Sequence, residues 1–257
     1  MDKLLEYFAG DELAASVWKG KYAIKGEETP LDMHVRMAKE FARIEAKYIY
    51  KERKMLDEGV DLSDFGRDFI IDLAKLDQEG IASLITQYFR GFENIVPQGS
   101  IMSALGNFNK IQSLSNCFVI PPPYDSYGGI FKTDEQIAQL EKRRGGVGTN
   151  INTLRPEETV VSNAAGTSTG AHSFMSRYSN TTREVAQNGR RGALMLLMSC
   201  LHPDIFKFVT KKKDRTQVTG ANISSMLTDK FILAAENDDD FICRFPIDTE
   251  IVSGSTE

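Results

Sequence analysis

From residue 117 onward, short apolar runs alternate with helical windows, and this alternation restricts the fold more than any other feature of the chain. Cys117-Phe118-Val119-Ile120 is a β-prone run stopped by Pro121-Pro122-Pro123, as expected of a buried strand that ends in a rigid loop. A helix is expected from about Thr133, where Thr133 to Gln136 has capping-box spacing and Asp134 and Glu135 suit the positive end of a helix. The series continues with a strand at Gly146 to Ile151, a helix at Gly170 to Val185, a strand at Ala193 to Ser199, a helix at Asp204 to Val209, a strand at Asn222 to Met226 and a helix at Asp229 to Glu236. Strands separated by helices imply a parallel sheet with right-handed crossovers, either open and doubly wound or closed into a barrel. Ligands of such folds gather beyond the strand C-termini, which directs attention to the loops after Ile120, Ile151 and Ser199.

The front of the chain has a different texture. Thr29-Pro30 supplies an N-cap followed by proline at the first helical position, with Asp32 at capping-box spacing. Behind it Met37, Phe41, Ile44 and Tyr48 form one apolar stripe, with Lys39, Glu40, Arg43 and Lys47 on the other faces, so an amphipathic helix of about five turns is expected. Shorter helical patterns follow at Arg67 to Leu76 and Ile81 to Phe92, parted by Gly80. The division this suggests is a helical domain at 1–92 and an α/β domain at 93–257.

Composition removes several function classes. No stretch of the 257 residues approaches the roughly 18 uninterrupted apolar residues of a membrane span, and Met-Asp-Lys-Leu-Leu-Glu is no signal peptide, so a soluble cytoplasmic chain without a membrane partner is expected. A net charge of -5 argues against wrapping nucleic acid. Cys117, Cys200 and Cys243 are too sparse for a disulfide scaffold or a zinc site, and His34, His172 and His202 show neither metal-ligand spacing nor a Cys-His pair. No metal site is expected.

Four segments could carry chemistry. Arg143-Arg144-Gly145-Gly146-Val147-Gly148 joins a helix end to a strand, the reverse of a dinucleotide fingerprint, and no P-loop exists. Its glycines either end the helix in left-handed geometry or let a ligand approach bare backbone. Gln187-Asn188-Gly189-Arg190-Arg191-Gly192-Ala193 couples guanidinium forks to glycines, which suits a phosphate clamp or an exposed turn. Cys117 at the head of its strand is either an inert small apolar residue or a working thiol. Lys207, Lys211, Lys212, Lys213 and Arg215 lie about a helix end, where a solvated face or a nucleotide grip would use them.

Taken in order, these segments resemble the large, catalytic subunit of ribonucleotide reductase. The matching pieces are Leu114-Ser115-Asn116-Cys117, Asp125-Ser126, Arg143 to Gly148, Arg155-Pro156, Thr167-Ser168-Thr169-Gly170 leading to Phe174-Met175, Gln187 to Ala193, and Gly220-Ala221-Asn222-Ile223-Ser224. Gly10 to Ala14 with Trp18 is similar to the family's N-terminal helical domain, and the resemblance leads one to expect a chain without the ATP-cone module that precedes this domain in many members. The resemblance implies a helical domain followed by the first half of a ten-stranded α/β barrel. In that family a thiyl radical abstracts a ribose 3′ hydrogen and a cysteine pair reduces the 2′ carbon. Cys117 matches a reducing cysteine, and Ser100, Asn116, Gly145, Gly146 and Arg191 match the substrate side. Asp125, Ser126, Arg155 and Gln187 match a specificity site for a deoxynucleoside triphosphate or ATP, with residues 187–193 as the loop that carries its signal. The partners implied are the ribonucleotide, the effector, a second copy of the assembled subunit, thioredoxin or glutaredoxin, and a radical source that is a metal-containing small subunit or adenosylcobalamin.

The sequence departs from the family in several places. The position of a second effector arginine is taken by Ser162. The radical cysteine's Asn-x-Cys-x-Glu motif, the tyrosine pair and the cysteine tail are absent from these residues, and neither Cys200 nor Cys243 matches the second reducing cysteine. A split gene, an intein-interrupted precursor or a truncated sequence would each give such a chain, which is expected to be inert alone and to need the C-terminal barrel half from another chain. A nucleotide-binding module that keeps only the effector site is the rival expectation, and an unrelated phosphate-binding α/β enzyme a third.

Overall fold

The structure is a computed structural model that describes residues 2–59, 76–185 and 192–247. The chain divides into two compact units, Met1–Leu114 and Ser115–Glu257, which places the division 22 residues beyond the position suggested by texture alone.

The first unit is helical: α1 (Lys3–Tyr7), α2 (Glu12–Lys21), α3 (Pro30–Asp57), α4 (Gln78–Phe89) and α5 (Gly99–Ala104). Asp11 caps α2 by accepting from the Ala14 amide, and Trp18 is buried one helical face later. α3 is 28 residues long, not five turns, and its buried line is Met33, Met37, Ala38, Ala42 and Ile49, whereas Phe41, Ile44 and Tyr48 are exposed. The expected stripe is thus rotated by about one residue. The alanines explain this, because Ala42 meets Ile81 and Ala82 of α4 in one cluster and small side chains let the helices approach. α4 starts at Gln78 because Asp77 accepts from the Gly80 amide, so Gly80 lies inside the first turn rather than between two helices. Arg36 ties this unit together: its guanidinium pairs with Glu27 at 2.7 Å and donates to the carbonyls of Met102 and Leu105, with both charged side chains nine-tenths buried. The expected helix at Arg67 to Leu76 lies outside the described residues, apart from Leu76.

The second unit follows the expected alternation: β1 (Cys117–Val119), α6 (Tyr127–Glu141), β2 (Gly146–Asn150), α7 (Ala171–Glu184), β3 (Leu194–Ser199), α8 (Ile205–Lys211), β4 (Ala221–Met226) and α9 (Asp229–Asn237). The four strands are parallel and lie in sequence order, with Cys117 beside Gly146, Val147 beside Leu194 and Leu194 beside Ala221. One sheet face (Val147, Thr149, Leu194, Leu196, Met198, Ala221) is buried against Ile137, Met175, Tyr178 and Phe208 of the helices. Fifteen buried residues form this core, enough for one domain-scale hydrophobic cluster. The opposite face (Cys117, Val119, Gly148, Met195, Asn222, Ser224) is open, and Val119 is 90% exposed.

Two local expectations are corrected. α6 begins at Tyr127, not near Thr133, because the Ser126 hydroxyl accepts from the Gly129 amide at 3.0 Å. Thr133 and Asp134 are therefore mid-helix and buried, with Asp134 held by Arg177 at 2.8 Å and by Thr181 at 2.5 Å. The basic cluster is largely engaged rather than a solvated face. Lys207 pairs with Glu157, Lys211 donates to the His172 carbonyl, and Lys212 donates to the carbonyls of Val218 and Ala221.

Glu141, at the end of α6, is fully buried; Thr182 donates to one of its oxygens at 3.0 Å and the other has no hydrogen-bond partner among the described residues. Burial pushes its carboxyl from 4.5 up to about 7, with the Thr182 hydrogen bond opposing. The folded chain therefore keeps a proton that the unfolded chain releases, and stability falls as pH rises between 4.5 and about 7. Glu141→Gln, neutral at every pH, should be more stable than the parent at pH 8, by up to about 3 kcal/mol. That gain should shrink as pH falls toward 5 in paired thermal melts, and an equal gain at both pH values would contradict the assignment.

Candidate functional site

The residues singled out in the α/β unit fall at opposite ends of the sheet. Cys117, Asn116, Gly145 and Gly146 gather at the N-terminal edge, and Asp125, Ser126 and Arg155 beyond the C-terminal edge.

At the N-terminal edge, α6 ends in a Schellman turn. The Gly145 amide donates to Leu140 O and the Arg144 amide to Glu141 O, each near 3.0 Å. The left-handed residue is Arg144, with φ +70°, so neither glycine has the left-handed role. Gly145 is required for another reason, since a Cβ there would lie 2.7 Å from the Phe118 ring. Its bare side is filled by protein, not left for a ligand. Gly146 enters the sheet by donating to Asn116 O at 2.6 Å, which sets Cys117 directly alongside it. Cys117 is a free, exposed thiol on the edge strand, on the open face. Beside it the sheet offers Gly146 and Gly148, neither of which adds bulk, so the thiol borders a shallow floor of bare backbone.

At the C-terminal edge the loops after β1 and β2 enclose a cavity of about 250 Å³. Asp125, Ser126, Leu154, Arg155, Ser162, Thr167 and Ser168 line it together with Tyr127, Ile130 and Phe174. One wall is a small hairpin, in which Val160 bridges Thr167, Val161 N donates to Gly166 O and Ser168 N to Thr159 O. Arg155 is held by Asp125, with Nε 2.7 Å from Oδ2, its amide 3.2 Å from Oδ1, and Nη2 donating to Asp125 O at 3.3 Å. Both side chains remain about one-third exposed, leaving guanidinium donors free to face an anion. The start of α6, a 15-residue helix capped by Ser126, also opens here and adds its positive end. A cation, a helix start and hydroxyls on one side, with aromatic and aliphatic walls on the other, suit a phosphate joined to a ring system. The volume is below the roughly 300–1,000 Å³ of cavities that engulf a whole ligand, so only part of one would fit inside.

Ser100 is fully buried in α5 of the helical unit, and Gln187 and Arg191 lie outside the described residues. Sequence reasoning missed His202 and Asp204, both buried in the β3–α8 loop, whose partners lie 33 to 48 residues away in sequence. The only local signal was a His-Pro-Asp run just after an apolar strand.

A family model described as ribonucleotide reductase, barrel domain, matches residues 115–255. The vitamin B12-dependent ribonucleoside-diphosphate reductase of Thermoplasma acidophilum is 30% identical over 88% of this chain and 34% of that protein. The ribonucleoside-diphosphate reductase large subunit of Caenorhabditis elegans is 31% identical over 52% of this chain and 18% of that protein. The chain thus spans about a third of the first relative's length and less of the second's. Among solved structures, the class Id ribonucleotide reductase alpha subunit of Actinobacillus ureae superposes with a TM-score of 0.59 at 16% identity, covering 89% of this chain and 35% of that one. At that identity the likeness concerns the fold.

The corner that presents Asp125 and Ser126 depends on Gly129, where a Cβ would lie 2.4 Å from Tyr124 O, while at Gly128 the nearest atom would be 3.9 Å away. Gly129→Ala should lower stability by about 1–3 kcal/mol through this backbone clash. Gly128→Ala should be neutral or mildly stabilising through helix propensity. Thermal melts of the two variants check this, and equal behaviour would contradict the geometry.

Proposed function

The chain belongs to the ribonucleotide reductase family, and on that premise we propose that it is part of a catalytic subunit with a ribonucleotide at its thiol edge and an effector nucleotide at its cavity. The observation that carries the reading is convergence: Asp125, Ser126 and Arg155, taken from two separate motifs, line one cavity.

At the thiol edge the proposed substrate is a ribonucleoside diphosphate, in keeping with the names of the relatives. Cys117 and a second cysteine would each give up one proton and one electron, so that the 2′ C–O bond breaks and its oxygen leaves as water, a C–H bond takes its place, and the two sulfurs join as a disulfide. Cys200 is not that second cysteine. It follows the last residue of β3, about seven residues and roughly 20 Å along the strand direction from the level of Cys117. Its thiol is also buried. Asn116 and the Gly146–Gly148 backbone would border the ribose, and the thiyl radical cysteine would come from residues carrying an Asn-x-Cys-x-Glu motif, with thioredoxin or glutaredoxin regenerating the thiols.

At the cavity, the Arg155 guanidinium and the α6 start would hold effector phosphates, with Asp125 and Ser126 toward the ribose and base. Tyr124, Tyr127 and Phe131 are exposed beside this cavity, which supports a second copy of the subunit covering it. Vitamin B12 dependence in the first relative's name is compatible with adenosylcobalamin as radical source, and the large-subunit name of the second with a metal-containing small subunit. Either would supply the radical. Among the described residues no group of three or more His, Cys, Asp or Glu side chains could hold a metal ion. Among the described residues no helix is long and apolar enough to cross a membrane, in keeping with a proposed cytoplasmic location.

Two variants separate the two ends. Arg155→Ala should weaken binding of deoxynucleoside triphosphates by about tenfold or more, measured by equilibrium dialysis, through loss of a charge-assisted contact. Cys117→Ser should leave that binding unchanged yet abolish multiple turnovers when the chain is assembled with a polypeptide carrying the Asn-x-Cys-x-Glu strand. Undiminished turnover by Cys117→Ser would overturn the reading.

A further inference from the structure

We infer that His202 and Asp204, on the loop between β3 and α8, are positioning residues that clasp both stems of the hairpin walling the cavity; their link to nucleotide binding rests on the effector reading above. Neither residue lines the cavity. Both are buried, at 0% and 3% exposure, so their polar atoms face protein and not solvent.

The contacts form one chain. His202 Nδ1 accepts from the Asp204 amide at 3.0 Å, so the ring hydrogen sits on Nε2, which donates to Leu154 O at 2.9 Å. Burial lowers the pKa of His202, in agreement with this neutral tautomer. The Asp204 carboxylate accepts from the Glu157 amide at 3.1 Å and from the Ala171 amide at 2.8 Å. Residues 154, 157 and 171 bracket the hairpin that contributes Val161, Ser162, Asn163, Thr167, Ser168 and Thr169 to the cavity. A single His-Pro-Asp turn therefore fixes the entry and the exit of that wall, and also the start of α7.

Gly170 shows how closely the carboxylate is fitted, because a Cβ there would lie 2.5 Å from Asp204 Oδ2. Beside the clasp Lys207 pairs with the Glu157 carboxylate, so Glu157 is held through its side chain as well as its amide. A buried carboxylate with two backbone donors is a strong anchor, and removing its charge leaves those amides facing a weaker acceptor or a repelling amide group.

The test is hydrogen exchange on the full 257-residue chain. Asp204→Asn should speed amide exchange across 157–171 by about tenfold or more, while the helical unit and β2 keep their protection. Should that variant fail to fold, His202→Asn replaces it, since its side-chain oxygen can still accept from the Asp204 amide but no longer reaches Leu154 O; faster exchange should then begin at 154–157. Unchanged exchange in this segment, or an equal rise everywhere, overturns the clasp. Calorimetric titration with dATP and dTTP runs alongside. Weakened binding by Asp204→Asn at preserved global stability supports the link to the effector, whereas locally faster exchange with no parental nucleotide binding upholds the clasp and overturns the effector reading.

Discussion

The hydrogen bond from the Gly146 amide to Asn116 O, 2.6 Å long, starts the register on which the rest of the α/β unit depends. It sets β1 alongside β2, and from that pairing the parallel ladder runs through β3 to β4 without interruption. In a parallel sheet, partnered residues point to the same face, so one register decides at once what is buried and what is left open. A slip of one residue would turn Cys117 toward the helices and Phe118 toward the open face. The ring of Phe118 over Gly145 opposes such a slip, because only glycine leaves room for it.

The same short strand also separates two chemistries. β1 is three residues long, with the thiol at its first position, and the chain then crosses the proline run to reach Asp125. Parallel sheets are ordinarily covered on both faces, and here one face is not, although it carries Val119, Met195 and Leu197 among small polar groups. A cover for that face and a nucleotide sugar beside Cys117 would draw on the same space, which is how a buried reaction centre could be assembled around an edge thiol.

Much of this was legible in the sequence. All four strands were anticipated to within one residue or so, since β-prone runs bounded by glycine and proline mark strands, but β1 is an exposed edge strand and not the buried one expected, because its pairing with β2 leaves one side and one face uncovered. Helix starts were less readable when the cap acted through an inconspicuous donor, as with Ser126 and Gly129, while the more conspicuous Thr133 pattern lies inside the helix. The face of α3 was misjudged because Ala38 and Ala42 pack where larger residues drew attention. Local patterns could suggest that Lys211 and Lys212 lie at a helix end, but not that carbonyls of other segments wait there. His202 and Asp204 were invisible for the same physical reason: their meaning lies in contacts with backbone far along the chain, and backbone groups leave no mark in a sequence.

The central claim is that a reactive thiol stands exposed on the open face of a sheet whose other face is sealed. Alkylation of the native chain with iodoacetamide, quenched over time and mapped by mass spectrometry, measures this most directly. Cys117 should be modified about tenfold or more faster than the buried Cys200, because access limits the reaction of a buried thiol. Equal, slow modification of the two would contradict the register, the open face and the role assigned to the thiol.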